Sequence, residues 1–184
     1  LVLCNGPSLL THPLSEVPPE ILRIGINQSW KVCYEPAYHF LIDGSQFTRN
    51  AGYFQSLGSR FMSPGGFNCG HALGYAPQEW DFSLDLTKGV RTGWYGSSSV
   101  TYIALQTLLW MGFSKIWIVG LELSKVKFTG EPTNAWKQAE TKLYHHVPER
   151  LRHRICCLLP TGADCFPTAE WPWAAPLAPG VARP

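Results

Sequence analysis

Leu1-Val2-Leu3-Cys4-Asn5-Gly6-Pro7-Ser8-Leu9 carries four apolar residues straight into Asn-Gly-Pro-Ser. A short apolar run stopped by turn residues predicts a buried strand leaving a sheet at its carboxyl end. Open α/β sheets bind ligands at that end. Within the turn, Gly6 lets the backbone approach a ligand closely, Pro7 suits a first helical position, and Ser8 is a candidate cap for the next turn of chain. Free N–H groups there would attract an anion such as a phosphate.

The same signal recurs along the chain. Residues 21–26 read as a second strand stopped by Asn27, and residues 37–42 as a third stopped by Asp43. Residues 60–63 suit a short fourth strand, residues 115–119 a buried strand entering Gly120-Leu121-Glu122, and residues 155–159 a last strand ended by Pro160-Thr161-Gly162. Residues 45–57 have helical character. Val100, Ile103, Ala104, Thr107, Leu108 and Met111 recur at helical spacing, with Ser97 to Ser99 as candidate caps and Gly112 as the stop. Residues 133–146 predict a polar helix, and Pro148 opens a shorter one through His153. Residues 64–92 are glycine-rich without a steady period and read as a loop folding over the site. Strands joined by helices predict the α/β class, a mostly parallel sheet covered by helices on both faces. The expected organisation is one domain over residues 1–166 and an extended Pro/Ala/Trp-rich tail over residues 167–184.

Composition narrows the function. A length of 184 residues fits one domain with a sizeable core. A net charge of +2 without a dense Lys/Arg cluster argues against nucleic acid as a partner. The six cysteines include an adjacent pair and several within apolar runs, so buried free thiols are expected rather than a disulfide framework. No CxxC pair suggests zinc, and a reducing cytoplasmic setting is expected. No stretch matches the roughly 18 apolar residues of a spanning helix, and no signal peptide is visible. The chain starts inside a strand without a methionine, which leaves room for residues upstream.

Asn5, Asn27, Asp43, Glu122 and Thr161 each follow an apolar strand, so a parallel sheet would line them along one edge. The plain alternative is that strand ends simply carry polar turn residues. The two asparagines are the less ordinary pair, because an amide offers donors and an acceptor to ribose and base edges. Arg91 could neutralise a phosphate, and Tyr95 and Tyr144 could donate to a leaving group. His71, His145 and His146 are the candidate general bases, although two successive helical residues diverge by about 100° and cannot both face one site.

Three blocks carry a resemblance: residues 4–9 (Cys-Asn-Gly-Pro-Ser-Leu), residues 26–28 (Ile-Asn-Gln), and residues 97–108 continuing into Gly112-Phe113-Ser114-Lys115-Ile116-Trp117-Ile118-Val119-Gly120-Leu121-Glu122. Together they resemble bacterial sialyltransferases of glycosyltransferase family forty-two, and the related 6-hydroxymethylpterin diphosphokinase-like proteins (domain of unknown function 115). The resemblance implies a Rossmann-like nucleotide-binding fold and a cytidine-nucleotide sugar as donor, with a glycan or other hydroxyl as acceptor. By position it carries nucleotide binding over to Asn5, Gly6, Ser8, Asn27, Ser98 and Gly120. Asp43 falls where those enzymes have asparagine, and Glu122 where they have aspartate. It implies no essential metal and no separate cofactor; the diphosphokinase alternative would use ATP and magnesium, with Asp43 and Glu122 as oxygen ligands. The second half departs from the pattern, since the expected histidine position falls near Ala135 or Trp136, well before His145 and His146. A non-catalytic nucleotide-binding relative is the third alternative, and a homo-oligomer is allowed.

Overall fold

The computed structural model describes residues 1–33, 35–63, 99–123, 127, 129–130, 144–145 and 147–173. Seven strands form one sheet: β1 (Val2–Leu3), β2 (Ile24–Ile26), β3 (Tyr38–Phe40), β4 (Phe61–Met62), β5 (Ile116–Val119), β6 (Ile155–Leu158) and β7 (Thr168–Ala169). Their order is β4-β3-β2-β1-β5-β6-β7, and every pairing is parallel. The fold is α/β and Rossmann-like. The chain builds outward from β1 to β4, then returns to the other side of β1 as β5, so the order reverses between β1 and β5. Crevices at such a reversal are where open sheets take ligands.

Alternation along β1 sends its residues to two cores. Val2 and Cys4 pack with Ile24, Ile26, Ile118 and Cys157 against α3 (Val100–Trp110), whose Tyr102, Ala104, Leu105 and Leu108 are essentially inaccessible. Leu1 and Leu3 pack on the opposite face with Leu9, Val17, Val119 and Trp171. That face is completed by α1 (Gly44–Arg49) and α2 (Ala51–Ser56), the latter placing Tyr53 and Phe54 on Leu41 and Phe61. A short helix, α4 (Glu149–Arg152), precedes β6 with Pro148 as its N-cap residue.

The helix at residues 100–110 follows the expected pattern closely: the Ser99 hydroxyl accepts from the Tyr102 N–H (3.2 Å) and Gly112 follows the C-terminus. Elsewhere the strands are shorter than their apolar runs, because pairing ends where the chain turns to cap the next element. The segment of helical character over residues 45–57 forms two helices, interrupted at Asn50. Thr168 and Ala169, placed in the tail by composition, pair with β6 as an edge strand, and Trp171 and Trp173 pack beneath it in mutual edge contact. The sheet therefore runs past residue 166. The five described cysteines are free, and four of them are buried. Among the described residues no helix is long and apolar enough to cross a membrane.

Candidate functional site

Parallel pairing brings the carboxyl ends of β1, β2, β5 and β6 to one edge. Val2 and Leu3 are level with Ile24 and Gly25, so Asn5 and Asn27 follow the carboxyl ends of two neighbouring strands. Across β1, the pairing of Leu3 with Val119 carries forward to Gly6 beside Glu122.

Gly6 and Glu122 do meet. The Gly6 N–H donates to the Gly120 carbonyl (2.7 Å), and the Ser8 N–H donates to Glu122 Oε1 (2.6 Å). A Cβ on Gly6 would overlap Glu122 Oε2 and lie 2.6 Å from the Gly120 oxygen, so only glycine fits. The close approach that Gly6 permits is thus made by the chain's own carboxylate. This revises the expected phosphate seat, since the N–H of Ser8 is already bonded to an anion and Pro7 has none to offer. Ser8 does not cap the turn either. Gly6 is the N-cap residue of the 3-10 turn Pro7–Leu10, without a side-chain cap, and Pro7 holds its first position as expected.

What the edge leaves open is oxygen. Asn5 Oδ1, Ser8 Oγ, Asn27 Oδ1 and Glu122 Oε2 are buried and have no hydrogen-bond partner among the described residues. Buried polar atoms are paired in the great majority of cases, so four unpaired ones at the ends of three adjacent strands make this edge the candidate site.

Asn27 is held from behind by a residue that the sequence did not single out. His39, in the middle of β3 and fully buried, donates from Nε2 to the Asn27 carbonyl (2.8 Å), where Asn27 adopts a left-handed φ of 49°. With that proton on Nε2, the bare Nδ1 faces Gly25 on β2, where any Cβ would collide with the ring. Tyr53 meets the ring edge-on at 5.8 Å and Phe54 tilts against it at 5.3 Å. Burial in this apolar cage lowers the imidazole pKa to about 4, despite the hydrogen bond to Asn27.

Asp43 has a different occupation from the one expected of it. Its carboxylate accepts from the Ser45 N–H (2.8 Å), the Ser45 hydroxyl (2.7 Å), the Gln46 N–H (3.3 Å) and the Gln46 side-chain amide (3.2 Å). It is the N-cap of α1. Burial alone would raise its pKa, but these hydrogen bonds outweigh it and hold the carboxyl below its usual value. Asp43→Ala is expected to cost about 1 kcal/mol of stability in urea unfolding while leaving ligand affinity unchanged. A catalytic carboxylate would show the reverse.

Tyr144 is fully buried, with its hydroxyl 3.2 Å from the Ser99 hydroxyl and its ring against Tyr102 and Phe166. It belongs to the core beneath α3. His145 is exposed, and its Nε2–H donates to Asp164 Oδ1 (3.0 Å) in the loop after β6. Thr161 in the same loop donates to the Leu121 carbonyl (3.2 Å) and ties that loop to the end of β5. The expectations for His71, Arg91, Tyr95, Ser98 and His146 fall outside the described residues. Of the expected binding residues, Asn5, Gly6, Ser8, Asn27 and Gly120, together with Glu122, share the edge around β1.

Compared with family models, with curated proteins and with solved structures, the chain finds no significant match.

Proposed function

We propose that the edge formed after β1, β2 and β5 binds the nucleoside part of a cytidine-nucleotide sugar, and that the protein is a sialyltransferase-like glycosyltransferase acting on a hydroxyl acceptor. The reading is carried by the unpaired oxygens of Asn5 and Asn27, which follow the ends of adjacent parallel strands. Both are acceptors. Ribose hydroxyls and the cytosine exocyclic amine are donors, so the pairing is chemically matched, whereas a bare phosphate would bring only more acceptors. The phosphate charge then falls to Arg91, whose guanidinium suits phosphate, with Ser98 as the nucleotide-binding serine that the resemblance implies. Free, buried thiols fit the cytoplasmic setting proposed with it.

The magnesium-dependent diphosphokinase reading is weaker, because it needs Asp43 and Glu122 as a pair of ligands. Asp43 is engaged as a helix cap, and Glu122 shares one oxygen with the Ser8 N–H.

Calorimetric titration with cytidine monophosphate and with ATP-magnesium separates the two. Cytidine monophosphate is expected to bind, and Asn27→Ala to weaken it about tenfold through the loss of one or two hydrogen bonds. Binding without hydrolysis of a cytidine-nucleotide sugar would leave a nucleotide-binding protein that is not a transferase. Preference for ATP-magnesium, or no heat from either ligand, would overturn the proposal.

A further inference from the structure

We propose that His145, Asp164 and Cys165 form a binding site for a divalent transition-metal ion of the zinc class, independent of the nucleotide reading above. His145 Nε2, an Asp164 carboxylate oxygen and Cys165 Sγ all lie within 4.8 Å of one another. Imidazole, carboxylate and thiolate are a donor set for zinc or cobalt; magnesium and calcium prefer oxygen alone.

The two segments that carry these ligands are pinned one residue away. Tyr144, next to His145, and Phe166, next to Cys165, are buried and meet edge to face at 5.7 Å. Arg152 ties down the histidine side, donating to the His145 carbonyl (2.7 Å) and the Val147 carbonyl (2.9 Å). On the other side, the Gly162 N–H donates to the Leu121 carbonyl (2.9 Å) and the Ala163 N–H to Thr161 Oγ1 (3.1 Å). The backbones are fixed while the ligand side chains stay accessible, 50% for His145 and 73% for Asp164.

Donor atoms around a tetrahedral zinc stand roughly 3.5 Å apart, given bonds of about 2.0 to 2.3 Å. The widest separation must therefore close by about an ångström, which rotation of two exposed side chains allows. Three protein ligands leave a fourth position open, the arrangement of zinc sites that bind water or substrate. Zinc binds cysteine as the thiolate, so the metal must displace the Cys165 proton and affinity rises with pH.

Cobalt(II) titration of the full, reduced chain provides the test. The expected result is one equivalent bound, with the visible bands of a tetrahedral ion and a thiolate-to-cobalt charge-transfer band, both lost on addition of zinc. Cys165→Ser should abolish the charge-transfer band. His145→Gln and Asp164→Asn, at exposed positions that leave the fold intact, should each weaken binding on the order of 100-fold. Absence of a stoichiometric complex would overturn the proposal, and so would a charge-transfer band that persists in Cys165→Ser.

Discussion

Gly6→Ala is expected to destabilise the protein by about 3 kcal/mol and to abolish the cytidine monophosphate binding proposed above. The added methyl would occupy the position of Glu122 Oε2 and press on the Gly120 carbonyl at 2.6 Å, and neither neighbour moves freely. Gly120 is backbone hydrogen-bonded to Gly6, and the Glu122 carboxylate is held by the Ser8 N–H. Overpacking costs roughly 1 to 3 kcal/mol, and a lost charge-assisted hydrogen bond about as much again. In a chain of this size each kcal/mol moves the midpoint by about 2–4 °C, so a fall of roughly 6–12 °C should be seen by calorimetry. The double variant Gly6→Ala with Glu122→Ala should recover part of the loss, because the carboxylate clash disappears while the Gly120 contact remains. A Gly6→Ala protein melting with the wild type would mean that β5 does not close on the turn after β1.

The second large effect concerns acid. His39 has an ordinary pKa of 6.5 when unfolded and about 4 when folded, so between those values the unfolded chain carries a proton that the native protein lacks. Stability therefore falls as pH drops from 6.5 to 4, by about 3 kcal/mol for this group at 1.36 kcal/mol per pKa unit. Asp43, held below its usual range, adds its loss only at lower pH. His39→Gln keeps a donor for the Asn27 carbonyl and removes the titration. Its stability is expected to be lower at pH 7 but nearly flat from pH 6.5 to 4.5, read as urea midpoints across the pH series. Parallel pH profiles for the variant and the wild type would show that the imidazole is not buried neutral.

The architecture was largely legible in the sequence because β1, β2, β3, β5 and β6 are apolar runs ended by polar residues, and because residues 100–111 keep a clean helical period. The edge strand at Thr168–Ala169 was hidden by its two-residue length and by the proline and tryptophan around it. That Asn5 and Asn27 follow neighbouring strands could be read from their place after successive apolar runs. The Gly6–Glu122 contact could not, since it joins residues 116 positions apart and depends on β5 lying beside β1. Asp43 illustrates the opposite error. Position after a strand suggested chemistry, while Asp-Gly-Ser-Gln is also an N-cap followed three residues later by a glutamine, and the helix claimed it. His39 escaped notice because a histidine within a strand has no positional signal of its own. Its trace was the glycine at position 25 of the neighbouring strand, where a missing side chain makes room for a ring.

The central place of β1 also bears on how the chain is made. One flank of β1 finds its partner within some twenty residues, but the other waits for Ile116–Val119. At ribosomal speeds of about 5–20 residues per second, that flank stays bare for roughly six to twenty seconds. Throughout that time the nascent half-sheet exposes unpaired amides beside an apolar surface, the condition under which strands join the wrong neighbour. Arrival of Ile116–Val119 is therefore the step that closes the middle of the sheet.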